Sequence, residues 1–250
     1  MKKLEKDINR VVSNALQPIK VVDEYGVGVY SKIYKITSKN LTMALKVSKD
    51  ENKQLDGIDI HRAVFKYAMS PKIYATGLVN KKSFTIMDPI ASDLFHYMSS
   101  DFNVAHISHA FKCLLDKKYV LGMLHGDMHV ENIVILSDGI TLGFIDFDFS
   151  VLNIDPILTI LDFIPLLGLL KTLVLNKPVV LLVAYLLQYY KDTFNISIKL
   201  EKINQILEGG FNYDGKLNSY VKIADKVGLK KTTSRDVLKC FPYLKLPKIT

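Results

Sequence analysis

Apolar residues at the start of the chain recur at helical spacing: Leu4, Ile8, Val11, Val12, Ala15 and Leu16, with Pro18 at the exit. This predicts an amphipathic helix packed on the body of the protein. The pattern then changes period. Short β-branched and aromatic runs, Val27–Tyr30, Ile33–Ile36 and Met43–Val47, are separated by Gly26, Gly28 and a Ser38-Lys39-Asn40 turn, which predicts a meander of antiparallel strands. From Asp50 to Met69 the spacing is helical again, with Ile58, Phe65 and Met69 as candidate buried positions and Ser70-Pro71 as the stop. Two further strands are expected, at Ile73–Leu78 and Ser83–Met87. Beyond Asp93 helices dominate, apart from a strand–turn–strand at Asn132–Phe147 turning on Ser137-Asp138-Gly139. A β-rich first third joined to a helical remainder is an α+β plan with a natural crevice between the parts.

The most apolar stretch, Ile157–Leu187, raises the question of a membrane. A spanning helix needs roughly 20 mostly apolar residues. Here Asp162, Pro165, Lys171 and Asn176-Lys177-Pro178 divide the stretch, and a carboxylate at a bilayer centre costs about 3 kcal/mol. Two buried helices of a globular lobe are expected instead, without membrane association.

Composition adds limits rather than a function. The balance of 33 basic against 25 acidic residues gives a formal charge of +8, which would attract nucleic acid, anionic lipid, acidic protein or nucleotide phosphates alike. Nothing in the charge pattern singles out nucleic acid. The two cysteines, Cys113 and Cys240, lie far apart without a CxxC, arguing against a disulfide scaffold or structural zinc. Met1–Arg10 is charged and lacks an apolar run of signal-peptide length. An intracellular, cytoplasmic setting is the expectation.

Three clusters carry chemistry, and their order matters more than any one of them. The first, Gly26-Val27-Gly28-Val29-Tyr30-Ser31, lies between predicted strands. Glycines let the backbone approach phosphates and offer amide donors to them, although a Gly-containing hairpin would look the same alone. The second is Ala44-Leu45-Lys46 within a strand, where the lysine is either an outward-facing side chain or a point charge for phosphate oxygens. The third is the most specific: His125-Gly126-Asp127-Met128-His129-Val130-Glu131-Asn132, followed by Ile145-Asp146-Phe147-Asp148. Phosphoryl transfer asks for a carboxylate to orient or deprotonate the acceptor, and for oxygen ligands to magnesium. Asp127 suits the first role, and Asn132 and Asp146 the second.

On these motifs the chain resembles the protein-kinase-like superfamily over roughly residues 20 to 165. The HGDxHxxN and IDFD wording is similar to atypical branches such as Rio-type and aminoglycoside-phosphotransferase-like kinases. The resemblance implies a two-lobed fold, with residues 1–88 as a small antiparallel-sheet lobe and 89–250 as a mostly helical lobe. It implies ATP and Mg2+ as cofactors and a Ser/Thr hydroxyl on a protein as acceptor, with a small-molecule acceptor or a nucleotide-binding pseudokinase as alternatives. Adenine would lie near Met87, Asp88 and Ile90, and phosphates near Gly26, Gly28, Tyr30, Ser31, Ala44 and Lys46. Asp162 is implied as the helix aspartate that braces the catalytic loop.

Departures from the family pattern sharpen these expectations. Gly126 stands where an arginine usually precedes the catalytic aspartate, and Asp148 where DFG ends in glycine. Ser150–Pro156 is too short for a long activation segment, and no APE follows. His129 stands where many protein kinases have lysine, to contact the γ-phosphate or merely to pack and hydrogen-bond. The acidic partner of Lys46 has three candidates: Glu51, Asp56 and Asp59. His61, His96, His106 and His109 share no metal spacing and read as surface or satisfied histidines. Lys230-Lys231-Thr232-Thr233-Ser234-Arg235 reads as a helix start.

Overall fold

The computed structural model describes residues 1–28, 31–50, 57–98 and 104–154, together with Thr159, Asp162 and Asp192. Helix α1 (Lys2–Val11) is followed by a 3₁₀ turn at Asn14–Leu16 and then by β1 (Ile19–Val27), β2 (Ser31–Ser38) and β3 (Leu41–Ser48). The predicted single helix through Leu16 therefore stops early, leaving Val11 49% exposed rather than on the buried face. Helix α1 is held side-on to β1 by its own polar residues. Asn9 donates to the carbonyl of Ile19 at 2.8 Å and accepts from its amide at 2.9 Å, while Glu5, one turn earlier, accepts from the amide of Val21 at 2.9 Å. The outer edge of the sheet thus has its hydrogen-bonding groups engaged where it would otherwise invite another strand.

Helix α2 (Ile58–Phe65) follows, then β4 (Ile73–Val79) and β5 (Lys82–Met87). The five strands form one antiparallel sheet in the order β1-β2-β3-β5-β4. The meander is as the alternation predicts, with two differences. The first strand is Ile19–Val27 rather than Val27–Tyr30, so Gly26 lies inside a strand, opposite Ile33; and α2 is a short helix on which Phe65 is 40% exposed, while His61 and Val64 are buried instead. On β3 the period-2 alternation is clean. Met43, Leu45 and Val47 face a core shared with Ile8, Ile19, Ile36, Val79, Phe84 and Ile86, leaving Ala44 and Lys46 on the opposite face.

The second part begins with β6 (Ser92–Asp93), α3 (Leu94–Met98) and α4 (Val104–Val120), and continues to a hairpin of β7 (Ile133–Ile135) and β8 (Leu142–Phe144). Asp93 caps α3 by accepting from the amide of His96 at 2.7 Å. The hairpin turn is built by Asp138, whose carboxylate accepts from the amides of Ile140 and Thr141 and from the Thr141 hydroxyl. Those three bonds hold the Asp138 carboxyl below its usual range, the Thr141 hydroxyl contributing most. The hairpin meets the connection between α2 and β4 where the amide of Phe144 donates to the carbonyl of Met69 at 2.7 Å.

Among the described residues no helix is long and apolar enough to cross a membrane. Apart from Thr159 and Asp162, the apolar stretch Ile157–Leu187 lies outside the described residues, as do the Lys230–Arg235 segment and most of the expected helical lobe.

Candidate active site

Lys46 projects from the β3 face opposite the core, and its Nζ meets Asp146 Oδ1 at 3.0 Å, 100 residues further along the chain. The pair bridges the first sheet and the segment after β8. Of the three acids considered for Lys46, Asp59 is excluded. It sits in the first turn of α2 with its side chain fully exposed, and its nearest cation is Arg62 at 4.0 Å. Glu51 and Asp56 lie outside the described residues, as does Tyr30.

The loop from His125 to Asn132 is folded back on itself. Asn132 Nδ2 donates to the Asp127 carbonyl at 2.9 Å and to its carboxylate at 3.3 Å, which turns the Asn132 side-chain oxygen away from Asp127. The amides of Asn132 and Ile133 both donate to the His129 carbonyl, and that of Ile145 donates to the Asn132 carbonyl at 3.1 Å. These bonds register the segment carrying Asp146 against the loop carrying Asp127. Asp146 itself adopts φ +64°, a left-handed conformation rare outside glycine and one that functional sites concentrate. The Asp127 and Asp146 carboxylates remain about two-fifths exposed, as groups that meet a ligand must. His129 lies mostly covered beside them, its Nε2 3.7 Å from Asp127 Oδ2 and its Nδ1 accepting from the amide of Glu131 at 3.3 Å.

Gly126 has φ +82°, and a Cβ there would collide with the carbonyl of Phe149. Arginine at this position is thus excluded by the turn itself and not merely absent. The strand pairing that follows tightens the same turn: Leu124 and Val151 exchange amide–carbonyl bonds at 2.9 and 2.8 Å, and Ser150 Oγ donates to the His125 carbonyl at 2.8 Å. The chain therefore runs from Asp146 back to the start of the His125–Asn132 loop by Val151.

Behind the acids stands a column of rings that sequence reading missed. His61 from α2 packs on Phe147 with ring centroids 4.9 Å apart, and Phe147 packs on His125 at 5.4 Å. His125 also meets Phe144 at 5.1 Å. His61 Nε2–H donates to the Pro71 carbonyl at 2.8 Å, and burial drives its pKa down to about 4, aided by the cations Lys46 and Arg62 and opposed by the Pro71 bond and by Asp146. His125 is fully buried. Its Nε2–H donates to the Ile145 carbonyl at 2.9 Å, its Nδ1 has no hydrogen-bond partner among the described residues, and burial lowers its pKa as well. Both are neutral imidazoles used as packing. Gly57, just before α2, makes the contact possible, because a Cβ there would strike the Phe147 carbonyl. His61 was read as surface or satisfied; it is satisfied, and its spacing before Val64 on α2 was the available signal of burial.

Other expected positions fall as follows. Ala44 pairs with Met87 across β3 and β5, so Met87 borders the face that carries Lys46. Asp88 points its carboxylate toward β4, accepting from the Tyr74 hydroxyl at 2.6 Å; this bond raises the Tyr74 pKa to about 12. The Asp88 amide donates to Lys72 O and the Ala91 amide to Ile135 O; between them the Ile90 amide has no backbone partner among the described residues. At the glycine turn, Ser31 is buried, and a Cβ on Gly28 would stand 3.5 Å from its hydroxyl, so the serine fills the space under the turn. Asp162, fully buried, accepts from the amides of His125 and Gly126 at 2.6 and 2.8 Å.

The donor set suits magnesium held jointly with phosphates. Among the described residues no three His, Cys, Asp or Glu side chains gather to hold a metal. Asp146 and the Asn132 side-chain oxygen, on segments joined by the Ile145–Asn132 backbone bond, are oxygen donors of the kind Mg2+ takes when substrate phosphates complete its shell.

No protein-family model matches the chain, and no curated protein matches it. Solved structures do. The Cydia pomonella granulovirus kinase PK-1 is similar at 19% identity, with a TM-score of 0.48; the match covers 59% of this chain and spans 59% of that kinase. The described residues themselves form an α+β arrangement: an antiparallel five-stranded sheet, a helix between its β3 and β4 strands, and a hairpin that joins Asn132 to Asp146.

Proposed function

We propose that the chain is an ATP- and Mg2+-dependent phosphotransferase whose acceptor is a serine or threonine hydroxyl of a protein. The observation that carries this reading is the meeting of Lys46 with Asp146 at 3.0 Å beside the bonded pair Asp127 and Asn132. The residues divide the work by chemistry. Lys46, on the cleft face of β3, offers its ammonium to α- and β-phosphate oxygens, and the amides around Gly26 and Gly28 close over them. The segment Met87–Ile90 presents backbone groups at the end of β5, with the Ile90 amide available to an adenine edge. Asp146 and the Asn132 side-chain oxygen would hold Mg2+, which would supply neutralisation of the charge on the transferring phosphoryl group. Asp127 orients the acceptor hydroxyl and takes its proton, with His129 shielding one side of the carboxylate.

A small-molecule acceptor is the second reading, favoured by one observation. The backbone after Asp146 returns to pair with Leu124 at Val151, leaving little chain there to dock a peptide. γ-Phosphate transfer to the chain itself, to generic protein acceptors and to a panel of hydroxyl metabolites separates the two. Labelling of protein that disappears in Asp127→Ala and Asp146→Ala supports the first reading. Acceptor-stimulated ATP consumption without protein labelling supports the second, and equal labelling by all three proteins sinks both.

A further inference from the structure

Helix α4 carries a lysine where its pattern demands an apolar residue. Phe111, Leu114, Leu115 and Lys118 follow one another at i, i+3, i+4 and i+7, and all four are buried; Lys118 is only 2% exposed. Its ammonium lies 3.0 Å from Asp162 Oδ2 and donates to the Thr159 carbonyl at 2.8 Å. Asp162 is 0% exposed, and its two oxygens accept from the amides of His125 and Gly126. A buried carboxylate accepting two neutral amides still lacks a counter-charge, and a lone buried charge is far more costly than a paired one. Lys118 supplies that charge at Oδ2, the oxygen that also accepts from the His125 amide.

We propose that Lys118 is a positioning residue for phosphoryl transfer: by neutralising and orienting Asp162 it fixes the His125–Gly126 backbone, and so the place of Asp127. The inference rests on the phosphotransfer reading for its kinetic part and on geometry for the rest. Lys118 touches no reacting group. It acts through one carboxylate and two amide bonds on the residue immediately before Asp127, in a turn that Gly126 makes without a side chain to brace it. Loss of the ion pair frees that turn while leaving the nucleotide contacts of Lys46 and Met87–Ile90 in place.

The test compares the full chain with Lys118→Met, Asp162→Asn and the double variant, by amide hydrogen exchange and by steady-state transfer kinetics. In the unmodified protein the His125 and Gly126 amides should exchange as slowly as the core of α4, by global unfolding alone; exchange through a local opening overturns the proposal. In Lys118→Met the same two amides should lose protection by about tenfold or more. kcat should fall about 10²-fold with the KM for nucleotide within about twofold. If Lys118→Met does not fold, the double variant, which buries no charge, carries the comparison. It should fold yet leave the two amides unprotected, and protected amides there overturn the proposal, as does an unchanged kcat in a folded variant. An unmodified protein without transfer activity defeats the phosphotransfer reading; the exchange measurements still decide whether Lys118 holds the loop.

Discussion

Lys46 Nζ and Asp146 Oδ1 lie 3.0 Å apart, so the cation on β3 is held by the very carboxylate that would take the metal. No described helix acid intervenes. Both side chains are part-exposed, which limits the pair's contribution to folding to below about 1 kcal/mol. Its value is in placing charge. Lys46→Met should therefore leave the unfolding midpoint nearly unchanged while lowering kcat about 10²–10³-fold. Asp59→Asn, on the exposed side of α2, should leave transfer within about twofold. Thermal unfolding and γ-phosphate transfer, measured side by side on both variants, check the pair of outcomes.

Gly126 offers a separate test of geometry. Gly139 and Gly126 both hold positive φ, +74° and +82°, but only Gly126 faces a backbone carbonyl where its Cβ would go. Gly139→Ala should destabilise by about 1 kcal/mol, the conformational cost alone. Gly126→Ala adds displacement of Phe149 and should cost about 3 kcal/mol. Urea denaturation of the two variants isolates the clash as their difference.

The pH dependence of stability follows from the ring column. The folded-state pKa of His61 lies at about 4, below its ordinary 6.5, so the unfolded chain binds its proton first as pH falls. The stability contribution is complete above about pH 6.5 and drains away between there and about pH 4. It amounts to ~3 kcal/mol at about 1.4 kcal/mol per tenfold. His125, lowered in the same direction, adds to the slope. His61→Met should flatten the curve in this window without abolishing it, as read from denaturant midpoints between pH 4 and pH 7.5.

Tyr74 and Asp88 clamp the segment that follows β5. Tyr74→Phe removes a 2.6 Å bond to Asp88 and should cost about 1 kcal/mol of stability. Because Asp88 begins the segment assigned to adenine, KM for nucleotide should rise several-fold with kcat little changed. In the unmodified protein, spectrophotometric titration should show a phenol ionising late, near pH 12.

The sheet was legible because alternation is a direct record of facing: Met43, Leu45 and Val47 inward, Ala44 and Lys46 outward. Of the candidate cluster, the structure pairs Lys46 with Asp146 and Asn132 with Asp127, and a backbone bond from Ile145 to Asn132 sets the two pairs side by side. What escaped depends on partners distant in sequence. Gly57 looks like any turn glycine until the Phe147 carbonyl stands against it. Lys118 looks like one half of a Lys-Lys surface pair, although its phase with Phe111 and Leu114 places it inside. Lys46 was expected to meet Glu51, Asp56 or Asp59; Asp59 is excluded, and the partner found among the described residues lies 100 residues away. The exposed Phe65 has the opposite cause, since the short α2 buries the Val64 face instead.

The bond from Phe144 to the Met69 carbonyl has a mechanical meaning. It pins the α2–β4 connection to the β7–β8 hairpin, and β4 is the edge of the first sheet farthest from β1. Gly143, beside it, brings the two backbones close enough that any side chain would crowd Met69. A pinned pair of bodies opens by swinging, and travel grows with the lever arm. The Lys46–Asp146 pair, two residues from the pin, thus sits where such travel would be smallest, and Gly26, on the outermost strand, where it would be largest.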